Sequence, residues 1–263
     1  MYENKHKPSS VSSSTLLNHS PLNGTINHEH LEDIIDVKTS DIRRFFPDPK
    51  LINSPFSTIV NKYQTNNHVA NTQSNWVNEI QMTEEAVFSI TPHKSAKWIT
   101  NNLIRIHNMI RNRDPTTIVD ATANVGGNCI SFAKDIASVT AYEIKEKTSI
   151  VLKHNLSVYN LANINVKRKD FNYSILHDPE IAAADIVFID PPWYIEDKKN
   201  VNFTLDYKIR KYPIAMEETI LNIFLVNPSA IVAVKLPKCE KLRFGENSII
   251  GFKKMDILVY WVS

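Results

Sequence analysis

An alternation constrains this chain more than any other feature. From residue 83 onward, short runs rich in β-branched residues are separated by stretches with helical periodicity. Residues 116–119, 139–144, 164–166, 186–189 and 230–234 read as strands, and 127–136, 145–161 and 216–226 read as helices. The run 186–189 is apolar throughout, as a strand covered on both faces requires. Such alternation predicts an α/β fold with a doubly wound, mainly parallel sheet. Two closing runs, 247–252 and 255–262, have little between them and predict a C-terminal antiparallel hairpin. A helix is expected to open at Thr91-Pro92, with threonine as its cap and proline in its first turn. Trp98, Ile99, Leu103, Ile106 and Ile110 follow at helical spacing.

The 263 residues suit one α/β domain with an extension. Residues 1–30, rich in Ser, Asn, His and Lys, are expected to be a flexible arm. Residues 31–82 read as a helical N-terminal extension with a loop over 64–75, and residues 83–263 as the sheet domain. A hydrophobic content of 43% allows a full core, and a net charge of +2 is compatible with a nucleic acid partner without requiring one. Two cysteines, Cys129 and Cys239, cannot build a disulfide framework or a zinc site alone. No metal is expected, and a reducing, intracellular setting, cytoplasmic or nuclear, fits best. Residues 1–18 lack the apolar stretch of a signal peptide, and no apolar run approaches the ~20 residues of a membrane span, so no membrane partner is expected.

Four acids close successive strands: Asp120, Glu143, Asp170 and Asp190. Ligands of doubly wound sheets bind outside the carboxyl ends of the strands, so these side chains converge on one edge. Carboxylates there can accept hydrogen bonds from ribose hydroxyls, an α-amino group or an exocyclic amine. The turn over 120–128, Asp-Ala-Thr-Ala-Asn-Val-Gly-Gly-Asn, joins the first strand to its helix. Two of only five glycines in the chain, Gly126 and Gly127, are adjacent in it. They are expected to let backbone approach a ligand closely, while the helix N-terminus favours a carboxylate. Asn124 stands where the dinucleotide signature G-x-G-x-x-G needs glycine, and asparagine tolerates left-handed geometry. A ligand carrying an amino acid and a ribose fits this edge better than a diphosphate does, and S-adenosylmethionine is such a ligand. Thr122, Asn124, Gly126 and Asn128 of the turn are candidate cofactor contacts.

The strand at 186–189 runs directly into Asp190-Pro191-Pro192-Trp193. Asp190 can accept a hydrogen bond from an amine on a planar ring, and the Pro191 carbonyl can accept a second. Two acceptors aim the nitrogen lone pair at an incoming methyl and stabilise the charge that develops on nitrogen. Consecutive prolines keep the corner stiff. Trp193, with Tyr194, offers a face for a base, worth ~1–3 kcal/mol in stacking. A positively charged base such as 7-methylguanine adds cation–π attraction. Asp190, Pro191 and Trp193 are the candidate catalytic residues.

With these motifs in hand, the chain resembles the trimethylguanosine synthases, cap hypermethylases acting on N2 of 7-methylguanosine. The likeness covers about residues 80–263. It rests on Phe88-Ser89-Ile90-Thr91-Pro92, Asp120-Ala121, Val125-Gly126-Gly127-Asn128, the helical Asn155 and Tyr159, Lys169-Asp170-Phe171, Pro191-Pro192-Trp193 and Leu236-Pro237. The resemblance implies a Rossmann-like class I methyltransferase fold and S-adenosyl-L-methionine as cofactor. It implies that Ser89, Thr91, Asp120, Glu143, Asp170 and Phe171 contact the cofactor and that Trp193 stacks on the methylated guanine. Lys235, with Lys238 and Arg243 nearby, is expected to contact phosphate of an RNA cap or other nucleic acid substrate. Three positions depart from the family: Asp190 replaces serine, Asn124 replaces glycine, and Tyr-Ile-Glu-Asp-Lys-Lys at 194–199 replaces a Gly-Gly-containing stretch. Asp190 also fits the adenine-N6 methyltransferases, where D-P-P-W is usual. The altered glycine turn leaves a catalytically silent cap- or RNA-binding subunit as another alternative.

Overall fold

The computed structural model describes residues 34–52, 76–192, 216–238, 247–251 and 255–263. All of these fall in the unit Glu32–Ser263. The expected arm over 1–30, the loop over 64–75, and Trp193, Tyr194, Cys239 and Arg243 lie outside the described residues.

Seven strands form one sheet: β1 (Thr117–Asp120), β2 (Ser138–Tyr142), β3 (Ile164–Lys167), β4 (Ile186–Ile189), β5 (Ile231–Pro237), β6 (Asn247–Gly251) and β7 (Met255–Tyr260). Their order is β3-β2-β1-β4-β5-β7-β6. β1 to β5 run parallel, and β7 lies antiparallel between β5 and β6. The expected hairpin is therefore present, with its second strand placed inside its first. Two faces of apolar side chains alternate along the central strands, as the two-residue strand period demands. Ile118, Ile186, Phe188, Ile231 and Ala233 point to one face, where they join helices α3 (His93–Arg111), α4 (Gly127–Asp135) and α5 (Glu146–Val158). Val119, Val187, Ile189, Val232 and Val234 point to the other, covered by α6 (Phe171–Ser174), α7 (Pro179–Ala182) and α8 (Met216–Val226). Phe132 of α4 meets Phe188 of β4 edge-to-face at 5.3 Å between ring centres.

α3 forms because Ala96, Ile99, Leu103 and Ile106 recur on one face, and it stops at Asn112 in left-handed geometry. Its start departs from expectation. Thr91 makes no cap; Pro92 occupies the cap position without a side-chain bond. The threonine that does cap is Thr83, which accepts the Ala86 amide and opens the short α2 (Glu84–Ser89). Upstream, α1 (Thr39–Phe45) buries Ile42 and Phe45 in the same apolar cluster as α3, and the Arg43 guanidinium lies over the Trp76 ring. No helix among the described residues is long and apolar enough to cross a membrane.

At the amino end of the sheet, Asp185 ties β4 to β1. It accepts the Thr116 amide at 2.7 Å, the Thr116 hydroxyl at 3.0 Å and the Thr117 amide at 3.1 Å, and it pairs with Arg113. Burial pushes its carboxyl up, yet bonds from Arg113 and Thr116 win and hold it well below the usual range. The opposite, carboxyl end of the sheet is thereby left to present loops.

Candidate functional site

The chain leaves β1 toward β2 and leaves β4 toward β5, so a crevice opens between β1 and β4 at their carboxyl ends. A cavity of about 1000 Å³ lies there. It is walled by the segment 87–92, the turn 121–124 with Gly127 and Asn128, residues 142–145 after β2, residues 169–171 after β3, and residues 190–192 after β4 with Lys235 of β5.

The turn after β1 is shaped residue by residue. Asn124 has φ 50°, the left-handed geometry expected where glycine is missing. Its amide donates to Glu143 Oε2 at 3.0 Å, and its side-chain nitrogen donates to Ser89 Oγ at 2.9 Å. Gly126 has φ 105° and caps α4. Gly127 answers to protein rather than to ligand. A Cβ there would sit 2.7 Å from Ile90 Cγ1 and 3.0 Å from the Thr91 carbonyl. This corrects the expectation that both glycines make room for a ligand: Gly127 admits the segment carrying Ser89 and Thr91. Asn155 holds the far side of the turn. It donates to the Val125 and Gln81 carbonyls at 3.0 Å each and accepts the Gln81 amide at 2.9 Å.

The four acids do not share one fate. Glu143 lines the cavity just past β2; its Oε1 accepts the Lys145 amide and its Oε2 the Asn124 amide. Asp170 lines it beyond β3 and caps α6 through the Asn172 amide at 2.9 Å, with Phe171 beside it. Asp190 lines it after β4. Asp120 is different: it is fully buried beneath the cavity and does not line it. Its oxygens accept the Cys129 thiol at 3.2 Å and the Thr122 amide at 3.2 Å. Burial pushes its carboxyl up to about 7 against the lowering effect of those bonds. A direct contact of Asp120 with a ligand in the cavity is not what this placement gives. The acid instead props the turn from below, and Thr122 in turn accepts the Asp190 amide at 2.8 Å.

Around Asp190 a buried polar cluster closes the cavity wall. Lys235 Nζ lies 2.6 Å from Asp190 Oδ2 and 2.8 Å from Thr91 Oγ1. Thr91 donates to Asp190 Oδ2 at 3.2 Å and accepts the Asn128 side-chain nitrogen at 3.2 Å. Lys235 is only 5% exposed. Its ammonium lines the cavity while paired with an internal carboxylate. Asn128 is buried too, and its Oδ1 has no hydrogen-bond partner. A buried acceptor without a donor is costly unless a ligand supplies one.

Residues 115–244 match the family described as RNA cap guanine-N2 methyltransferase. Over those residues the chain is similar to that family. It is 29% identical over 146 residues to the trimethylguanosine synthase of Schizosaccharomyces pombe, a match covering 54% of this chain and 57% of that protein. It is 28% identical over 208 residues to an uncharacterised protein of Acanthamoeba polyphaga mimivirus, covering 70% of this chain and 79% of that one. A hypothetical protein of Thermus thermophilus shares 16% identity at a TM-score of 0.49, over 70% of this chain and 92% of that chain. At this level the chain is an S-adenosylmethionine-dependent methyltransferase with the Rossmann-like class I fold.

The cavity also holds residues that the sequence did not single out. Arg44 and Phe45 reach it from α1, and Lys145 and Glu85 face each other as an ion pair beside it. Phe45 is visible in sequence only as an apolar residue before Pro47. Nothing local announces a contact made across more than forty residues.

Proposed function

We propose that this chain transfers a methyl group from S-adenosylmethionine to the exocyclic amine of a nucleobase, with guanine N2 of an m7G RNA cap as substrate. The observation that carries the reading is the joining of two corners in one cavity. The β4 corner offers Asp190 and Pro191, while the ends of β2 and β3 offer Glu143 and Asp170.

The residues present fit the cofactor. Glu143 lines the cavity past the end of β2, where a carboxylate can accept ribose hydroxyls. Asp170 and Phe171 stand where a base edge and face need an acceptor and an apolar neighbour. Ser89, Thr122, Asn124 and the unpartnered Asn128 Oδ1 suit the amino-acid end, which carries donors of its own. When bound, the cofactor supplies a methyl made electrophilic by its sulfonium. Asp190 and the Pro191 carbonyl take the two N–H groups of the substrate amine, hold its lone pair toward the cofactor side, and stabilise the positive charge that grows on nitrogen. The proton is shed to water after transfer, so no general base is assigned. Trp193 and Tyr194 supply the stacking face for the base, and the substrate is the cap of an RNA.

Adenine N6 is the second reading, favoured by the carboxylate at position 190. Incubation with a labelled methyl donor and either m7G-capped RNA or adenine-containing oligonucleotides, followed by mass analysis, decides. Label on guanine N2 of the cap supports the reading, whereas label on the oligonucleotide alone transfers it to adenine. No label on either, with no calorimetric heat on adding S-adenosylmethionine, leaves a silent binding subunit.

A further inference from the structure

Asp190 meets the cavity with its two oxygens in different states. Oδ2 accepts both Lys235 Nζ and the Thr91 hydroxyl, while Oδ1 takes no hydrogen bond from any described residue. The backbone is pinned as well, because the Asp190 amide donates to Thr122. Thr91 has its own direction fixed. It receives donors from Asn128 and Lys235, so its single proton goes to Asp190. Lys235, on β5, reaches across from the neighbouring strand and is itself almost fully enclosed. Every freedom of the Asp190 carboxylate is removed except the acceptor face of one oxygen.

We infer that Lys235 is a positioning residue that makes Asp190 a one-sided acceptor selecting a neutral amine, an inference that rests on the amine-methylation reading above. The ammonium cancels the carboxylate charge behind the reacting centre. The remaining lone pairs of Oδ1 then welcome an N–H donor and repel a ring carbonyl at the same place. Without Lys235, Oδ2 loses its ammonium partner and Oδ1 loses its fixed direction toward the amine. Lys235 thus acts through Asp190, and its removal must show in kcat rather than in cofactor KM.

The test compares kcat and cofactor KM from pH 6 to 9 for wild type, Lys235→Met, Lys235→Arg, Asp190→Asn and the double variant Asp190→Asn/Lys235→Met. Lys235→Met is expected to lose at least 30-fold in kcat at neutral pH with cofactor KM within threefold. Lys235→Arg should recover most of the rate. At position 190, asparagine carries no charge, so Lys235 has no carboxylate there to position. Removing Lys235 from Asp190→Asn should therefore change kcat by less than threefold. Equal kcat for wild type and Lys235→Met across that range overturns the inference and leaves the amine reading standing. If Lys235→Met does not fold, a 30-fold loss between Asp190→Asn and the double variant overturns it instead. A wild type that methylates no nucleobase amine overturns both.

Discussion

At the scale of single residues, the site is held by groups whose burial makes them sensitive to change. Asp190 and Lys235 are enclosed together, with side-chain exposures of 12% and 7%. Removing one member of such a pair strands the other, at about 3–5 kcal/mol. Asp190→Ala is thus expected to lower stability by that order in urea unfolding, in addition to abolishing turnover. Gly127→Ala forces a methyl to 2.7 Å from Ile90. The expected loss is about 1–3 kcal/mol in thermal or urea melts, accompanied by weaker cofactor binding because the Ser89–Thr91 segment must shift.

Asp120 gives a pH signature with an unusual sign. Its folded carboxyl titrates at about 7 against an ordinary 3.8. Between those values the unfolded chain has released the proton and the folded protein still holds it. The slope of unfolding free energy with pH is therefore negative there. Its contribution is fully present below about pH 4, declines as pH rises, and levels off above about 7. Asp120→Asn, which stays neutral, should gain stability relative to wild type as pH is raised from 5 to 7. Parallel urea titrations at stepped pH check this; a constant difference between the two proteins refutes it.

At the scale of elements, what the sequence made legible followed from periodicity and what it hid followed from distance. Strands such as Ile186–Ile189 and helix Met216–Val226 stand where the pattern puts them, because burial on a sheet face or helix stripe writes itself into residue spacing. The four-residue helices α6 and α7 carry too few turns to leave a period. Thr91 fails as a cap for another reason. Its hydroxyl has stronger partners in Lys235 and Asp190, 144 and 99 residues away, than in the helix that follows it. Distance also hid the Asp190–Lys235 pair, since in sequence Lys235 is a cation just past an apolar run, 45 residues from its partner. Asp185, equally unannounced, fastens the start of β4 to β1. Asp185→Ala leaves the Thr116 and Thr117 amides and Arg113 without their acceptor, and a loss of about 3–5 kcal/mol is expected in chemical denaturation.

At the scale of the whole molecule, the cavity is built by segments from residue 44 to residue 255, so its ligand bridges parts of the chain far apart in sequence. A ligand that binds only the assembled crevice stabilises the entire unit. At a hundredfold excess over Kd the gain is about 2.7 kcal/mol. S-adenosylhomocysteine, added at that excess, should raise the melting temperature in step with its concentration. An unchanged melt across a saturating series contradicts the cofactor assignment.

The placement of β7 between β5 and β6 bears on how the molecule is made. Synthesis delivers β6 before the strand on which β6 must lean. Until residues 255–260 emerge, β5 shows a naked edge of Ile231, Val232, Ala233 and Val234, an invitation to pair with another copy. The sheet therefore cannot seal before residues 255–260 have been made, and nascent chains stalled ahead of that point are the species that chaperones have to shield.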